Sequence, residues 1–286
     1  MGYDWGEFNR LMNGEEVEEL ILADIEEGKA LGLHYTPMIF INGRELSVAK
    51  GLFAANAVIR AVNAVAATNP PARSAAYDRP PLAAEKYIRD WRDQPVRRLP
   101  PASREWLTID EDRGLKIVVW GDYQEPGCIE LDQRIRAATE GRDDVSYVFR
   151  HYPMDQECNP VAGRSLHPRA CKAAKAVEAA GILGGRAAWW QMHQWLVDHH
   201  ESVSDEALRA VVESVSWDRD AFIEAMGSAA AAEGIAEDAR VAKALGLRSI
   251  PFVFVNGKQV PRWRLAGTDI IERIIAEAGS GEAAVE

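Results

Sequence analysis

Leu115-Lys116-Ile117-Val118-Val119-Trp120-Gly121-Asp122-Tyr123-Gln124-Glu125-Pro126-Gly127-Cys128 is the stretch whose reading decides the fold. Its first half is apolar and β-branched, the composition of a buried strand. Gly121 and Asp122 then turn the chain into Pro126, whose fixed φ suits the first position of a helix. From there the period is helical. Cys128, Leu131, Ile135 and Ala138 share one face, while Glu130, Asp132, Arg134 and Arg136 fall away from it.

A strand, a tight turn and a helix with a cysteine in its first turn is the layout of a thioredoxin-type redox site. That chemistry uses two thiols at C-x-x-C spacing. The first lies exposed at the helix N-terminus, where the dipole lowers its pKa and stabilises the thiolate. The second resolves the mixed disulfide from within the fold. Here Glu125 stands where the first cysteine belongs, and only Cys128 remains. The apolar face makes Cys128 inward-facing, as a plain structural cysteine would also be. The stretch reads as a redox site whose nucleophile is gone.

Trp120 to Cys128 resembles the D-Y-Q-C-P-x-C segment of DsbA-like thioredoxin-fold oxidoreductases. The similarity continues in the same order through Tyr147-Val148-Phe149-Arg150-His151-Tyr152-Pro153-Met154, through His167-Pro168-Arg169-Ala170-Cys171, and through Gly246-Leu247-Arg248-Ser249-Ile250-Pro251-Phe252-Val253-Phe254-Val255-Asn256-Gly257. These segments span about residues 105–280. The subgroup it looks most like is found alone or fused to vitamin K epoxide reductase-type membrane enzymes. The resemblance implies protein thiol–disulfide exchange as the ancestral activity, with no cofactor. It implies a cis Ile250-Pro251 bond facing the redox site, and a cis Thr36-Pro37 bond in the repeat described below. It also implies an extended peptide or a protein thiol/disulfide partner, added as a strand beside the residue before that proline. Ile250, Pro251, Pro126 and Gly127 are therefore the expected substrate-binding residues. The implied setting is extracytoplasmic, in the periplasm or cell envelope.

A length of 286 residues allows one large domain or two smaller ones. The net charge of −11 speaks against nonspecific nucleic-acid binding. Three cysteines do not make a disulfide scaffold, but Cys158 and Cys171 sit close. No further cysteine lies near enough for a four-ligand zinc site, so a structural disulfide is expected in an oxidising compartment. His193, His199 and His200 lack any H-E-x-x-H spacing, so no metal is expected. They lie on a helix with Trp189, Trp190 and Trp195, and these tryptophans read as packing of a helical cap against the sheet. Glu125 reads as a helix cap complementing the dipole, with an acid–base role as the alternative. Asp122 reads as a turn-former or as a buried proton-handling carboxylate. The most apolar run, Leu52 to Ala67, is broken by Asn56, Arg60 and Asn63, so no membrane span is expected. The opening residues Met1-Gly2-Tyr3-Asp4-Trp5-Gly6-Glu7 show no basic n-region and no apolar core, so no signal peptide is expected. Set beside an extracytoplasmic address, this reads as a fragment of something longer.

Residues 8–46 recur later in the chain. Phe8, Met12, Asp24, Lys29-Ala30-Leu31-Gly32-Leu33, Pro37, Phe40 and Asn42-Gly43 match Phe222, Met226, Asp238, Lys243-Ala244-Leu245-Gly246-Leu247, Pro251, Phe254 and Asn256-Gly257, always 214 positions apart. The repeated unit is the back half of a thioredoxin fold: a helix, a proline-initiated strand, an Asn-Gly hairpin and a closing helix near Leu52–Ala67. Its missing front half leaves an open sheet edge. The alternative is an independent helix-and-hairpin adornment.

The expected organisation is a partial thioredoxin-like repeat over 1–67, a Pro/Ala/Arg-rich linker over 68–102 with a short helix near Leu82–Trp91, and a DsbA-like domain over 103–286. That domain is expected to open with an edge strand, Trp106–Ile109. A second strand near Ser146–His151 follows the central strand–turn–helix. A helical insertion, interrupted at Gly181 and Gly184-Gly185, runs from Pro168 to about Leu245. Strands Phe252–Val255 and Lys258–Pro261 and a helix from about Asp269 to Ala278 close the chain. The fold class is α/β, a thioredoxin fold with a DsbA-like helical insertion.

Three functions follow. The preferred one is a redox-degenerate family member that binds peptide in the groove between Cys128 and Pro251 without turnover. The alternatives are a monothiol oxidoreductase using Cys128, and a non-catalytic docking module for a membrane redox enzyme.

Overall fold

The computed structural model describes residues 4–33, 36–41, 44–46, 55–67, 82–265 and 268–280. It divides into two compact units, Met1–Arg89 with Arg264–Ile270, and Asp90–Trp263 with Ile271–Glu286.

The first unit opens with α1 (Trp5–Met12), whose Asp4 cap accepts the Gly6 N–H at 2.8 Å. Helix α2 (Glu15–Ala30) follows and ends where Gly32 takes a positive φ of 80°. A cis Thr36-Pro37 bond leads into β1 (Phe40–Ile41), paired antiparallel with β2 (Arg44–Glu45). Helix α3 (Ala55–Ala67) comes next, then α4 (Ala83–Arg92). Neither α1 nor α2 contains a buried residue. The Asn42-Gly43 turn and the linker prolines Pro70-Pro71 and Pro80-Pro81 lie outside the described residues.

The second unit is built on a sheet ordered β4-β3-β5-β6. Strand β3 (Leu115–Gly121) passes through α5 (Pro126–Ala138) into β4 (Val145–His151), and the two strands pair in parallel from Leu115↔Val145 to Gly121↔His151. Every residue of β3 except Lys116 is buried, as the continuous apolar run requires. The insertion begins with α6 (Ala170–Asp198). Gly185, at φ 63°, kinks this helix without ending it, whereas Gly181 lies within regular helix. Helices α7 (Asp205–Ser214), α8 (Arg219–Met226) and α9 (Ala229–Ala244) complete the insertion, capped by Ser204, Asp218 and Ser228. Helices α8 and α9 pack on α6, and α9 also packs on β4. A cis Ile250-Pro251 bond starts β5 (Phe252–Val255), antiparallel to β3 from Ile117↔Val255 to Trp120↔Phe252. The edge strand β6 (Lys258–Gln259) and helix α10 (Ile270–Gly279) follow.

The expected edge strand Trp106–Ile109 is not a strand. Glu105–Leu107 forms a 3₁₀ turn instead. Arg104 and Leu107 are both buried, and residues three apart share a side in a tight turn but oppose each other in a strand.

The internal repeat extends to the elements themselves. Helices α1 and α8, helices α2 and α9, and strands β2 and β6 have boundaries displaced by the same 214 positions. So do the two cis prolines and the positive-φ glycines Gly32 and Gly246.

Candidate functional site

The turn from β3 into α5 is held by Asp122 and Glu125. The Asp122 carboxylate accepts the Gln124 N–H at 2.7 Å through Oδ1 and the Met154 N–H at 2.7 Å through Oδ2. Asp122 therefore shapes the turn, and its carboxylate is buried. Its Oδ2 also lies 2.8 Å from His167 Nδ1. Burial raises its pKa against the pull of these hydrogen bonds. Glu125 is the N-cap of α5; its Oε1 accepts the Gly127 N–H at 3.3 Å. Its Oε2 stands 3.9 Å from His167 Nε2. His167 thus sits between the turn carboxylate and the residue at the first thiol position. Its place in the sequence, beside Pro168 at the start of the insertion, gave no sign of this. Arg169 joins the same clamp, its N–H donating to Gln124 Oε1 at 2.5 Å.

Cys128 is fully buried and is a free thiol. Burial pushes its pKa well above the ordinary value, and the charges of Asp122, Glu125 and Asp132 push the same way. The sulfur rests against Gly121, where a Cβ would come within 3.1 Å of Sγ and 2.6 Å of the Phe149 ring. One step beyond the registered Trp120↔Phe252 pair, Pro251 falls opposite this glycine. Ile250 and Pro251 are half-buried, Pro126 is exposed and Gly127 is buried. A cavity of about 490 Å³ opens beside Pro251, lined by Arg97, Arg248, Ser249, Phe252 and Gln259 among others. A larger one of about 580 Å³ lies over Val118 and Phe254 on the sheet and contains none of the site residues.

Behind the turn, Tyr123, His193, Asp132 and Tyr147 form a buried hydrogen-bonded chain. Tyr123 Oη lies 2.8 Å from His193 Nδ1, and His193 Nε2 lies 2.9 Å from Asp132 Oδ1. Tyr147 donates to the same oxygen at 2.6 Å, and Arg136 Nε donates to Oδ2 at 2.7 Å. Burial works to raise the Asp132 pKa, but His193, Tyr147 and Arg136 together outweigh it and hold it low. His193 also stacks on Trp189, at 5.1 Å and 7°. His199 and His200 bond the carbonyls of Trp195 and Val197 at the end of α6.

A second buried cluster gathers around Asp238. Arg104 Nη2 and Arg150 Nε each reach its carboxylate at 2.6 Å, and the His151 N–H donates to it at 2.9 Å. His151 Nε2 lies 2.9 Å from Glu178 Oε1, and Arg104 Nε lies 3.2 Å from Glu178 Oε2. Nothing in the sequence marked this cluster, since its members lie on four separate segments.

Cys158 and Cys171 form a disulfide with their Cα atoms 5.7 Å apart. Asp155, Glu157 and Cys171 are the grouping among the described residues whose donor atoms could hold a metal, but the Cys171 sulfur is already committed to the disulfide.

Comparison with known proteins places this geometry in a family. The DSBA-like thioredoxin domain matches residues 116–274, more than half of the chain. Among curated relatives, "Na(+)/H(+) antiporter NhaA 1" of Salinispora arenicola is 29% identical over 184 residues, covering 57% of this chain and 26% of that protein. The protein of the same name from Mycolicibacterium gilvum is 30% identical over 185 residues, covering 60% and 27%. The chain thus spans about a quarter of the length of these relatives. Among solved structures, the thiol-disulfide exchange protein alpha-DsbA2 from Wolbachia pipientis matches at 21% identity and a TM-score of 0.47, covering 68% of this chain and 95% of that one. BdbD from Bacillus subtilis matches at 17% and 0.48, covering 64% and 100%. The chain belongs to the DsbA-like thioredoxin-domain family.

Proposed function

We propose that this protein is a redox-degenerate member of the thiol–disulfide oxidoreductase class that binds an extended peptide or a protein partner at the site between Cys128 and Pro251, without dithiol turnover. The observation that carries the reading is the state of the two C-x-x-C positions. Glu125 spends its carboxylate on the helix cap, and Cys128 is a buried thiol pushed away from its thiolate form. The thiolate is the nucleophile in exchange chemistry, so neither position offers one. The remaining cysteines are paired with each other. By the family resemblance, an extended peptide would be added as a strand beside Ile250, the residue before Pro251 at the start of β5.

The test is Glu125→Cys. It sets a thiol at the N-terminus of α5, where the helix dipole favours the thiolate, at C-x-x-C spacing from Cys128. The expected result is a reducible 125–128 disulfide and measurable insulin reduction, both absent in the wild type. Wild-type turnover that Cys128→Ser abolishes would instead establish the monothiol reading.

A second reading rests on the curated relatives, which are named as Na(+)/H(+) antiporters and align with this chain over about a quarter of their length. No helix among the described residues is long and apolar enough to cross a membrane. On this reading the protein is an extramembrane docking module for a membrane partner. The vitamin K epoxide reductase association belongs to the same class of proposal. The Cys158–Cys171 disulfide supports an extracytoplasmic setting. The division into a partial repeat over 1–67, a linker over 68–102 and a DsbA-like domain over 103–286 is likewise our proposal, supported by the displaced repeat of elements.

A further inference from the structure

The repeat allows each residue of α1 and α2 to be compared with its counterpart in a complete fold. Phe8 is 45% exposed and its counterpart Phe222 is 2% exposed. Ile21 is 53% exposed against 0% for Ile235, and Ile25 is 44% exposed against 0% for Ala239. Leu11 is exposed where Ala225 is buried. Asp24 is exposed, whereas Asp238 is fully buried and takes both Arg104 and Arg150. Thus α1 and α2 repeat the boundaries of α8 and α9, and in one copy the face that elsewhere forms the core meets solvent.

What covers that face in the complete copy is on view. Helix α8 packs against α6, and α9 packs against α6 and β4. Ala239 and Ala242 share a core cluster with Val118 and Trp120 of β3, and the Trp120 indole N–H donates to the Asp238 carbonyl at 3.0 Å. The cover is therefore the front half of the fold, strand–helix–strand–helix, together with arginines that neutralise the aspartate. In α1, Trp5, Phe8 and Met12 follow helical spacing on one face. In α2, Ile21 and Ile25 do the same. Exposed apolar faces on helices that are buried in the complete copy mark an interaction site.

We propose that the apolar face of α1 and α2 is the docking surface for a partner polypeptide that carries the strand–helix–strand–helix front half of a DsbA-like fold, with an arginine placed to meet Asp24. The argument is independent of the reading of Glu125. A second copy of this chain is the poorer occupant. Its own front half is already engaged in its second unit. Pairing α2 with itself would also set two acidic helices together, each with Glu15, Glu16, Glu18 and Asp24.

The test uses the full chain with a defined probe. A copy of residues 103–198 is joined ahead of Met1 through a flexible linker, and amide hydrogen exchange is followed along α1 and α2. The expected result is exchange slowed at least tenfold in both helices relative to the unmodified chain. That protection should be lost with D24R and regained when the appended copy also carries R104D and R150D. Unchanged exchange in the fusion overturns the proposal. So does tenfold protection of α1 and α2 already present in the unmodified monomer. Concentration-dependent dimerisation of the unmodified chain that protects the same helices overturns it in favour of self-association.

Discussion

Gly121 is the residue against which the Cys128 sulfur and the Phe149 ring pack. A methyl group there would meet the Phe149 ring at 2.6 Å and Cys128 Sγ at 3.1 Å, with Phe149 itself fully buried. Neither neighbour has room to retreat, so Gly121→Ala is expected to destabilise the fold by about 1–3 kcal/mol, the usual cost of overpacking. Equilibrium urea unfolding measures this directly. The thiol beside it makes a separate prediction. Burial and three nearby carboxylates keep Cys128 protonated at neutral pH, and alkylation requires the thiolate. Native protein should resist iodoacetamide for hours at pH 7.5, and labelling should rise with denaturant along the unfolding curve. Rapid labelling of the native state would show an accessible thiolate and would remove the ground for calling the site degenerate.

The helical insertion is tied at its start to the loop after β4 and further along to the Trp106 turn. The Cys158–Cys171 disulfide closes a loop with a sequence separation of 13 between β4 and α6. In the chain-entropy account a loop of this size contributes about 3 kcal/mol. Cys158→Ala with Cys171→Ala should lower the unfolding free energy of the second unit by roughly 2–4 kcal/mol, read as a fall in urea midpoint. An unchanged midpoint would mean that the loop is already ordered in the unfolded chain. Further along α6, Gly181 meets the Trp106 ring, which a Cβ would approach to 2.6 Å. These two attachments also mark what could be read in advance. The disulfide was legible because only two cysteines lay near each other. The strand–turn–helix and the proline-initiated strands were legible because local apolar runs and proline chemistry determine them. The Trp106 segment was misread as a strand, since its apolar residues suit a strand and Glu237 and Asp238, the partners of its cap residue Arg104, lie more than 130 positions away. His167 escaped notice for the same reason, as its partners Asp122 and Glu125 become neighbours only once the insertion folds back.

At the scale of the whole molecule, the duplicated aspartates carry a comparison that no single site allows. Asp238 joins the Arg104 segment, β4 and α9, with Glu178 of α6 completing the cluster through Arg104 and His151. Burial works to raise its pKa, but Arg104, Arg150 and His151 outweigh burial and hold it below the ordinary carboxylate range. A carboxyl depressed in the folded state contributes stability that is fully present above its unfolded pKa of about 3.9 and is lost as pH falls through the folded value. Asp238→Asn leaves the buried Arg150 guanidinium without its counter-charge, while Arg104 keeps Glu178 and Glu237; breaking a buried pair from one side costs about 3–5 kcal/mol. At pH 7 the variant should be destabilised by that amount. The gap to wild type should narrow as pH drops below about 3.9 toward the folded value, because the unfolded chain then binds a proton that the folded carboxylate still resists. Asp24, 214 positions earlier in the same helix of the repeat, is exposed. Asp24→Asn should therefore change stability by less than about 0.5 kcal/mol, the range for surface positions without special contacts. Urea midpoints of the two variants at pH 7 and pH 3 make the comparison. Equal destabilisation by both at pH 7 would mean that Asp24 is also buried in solution, and that the first unit already has its cover.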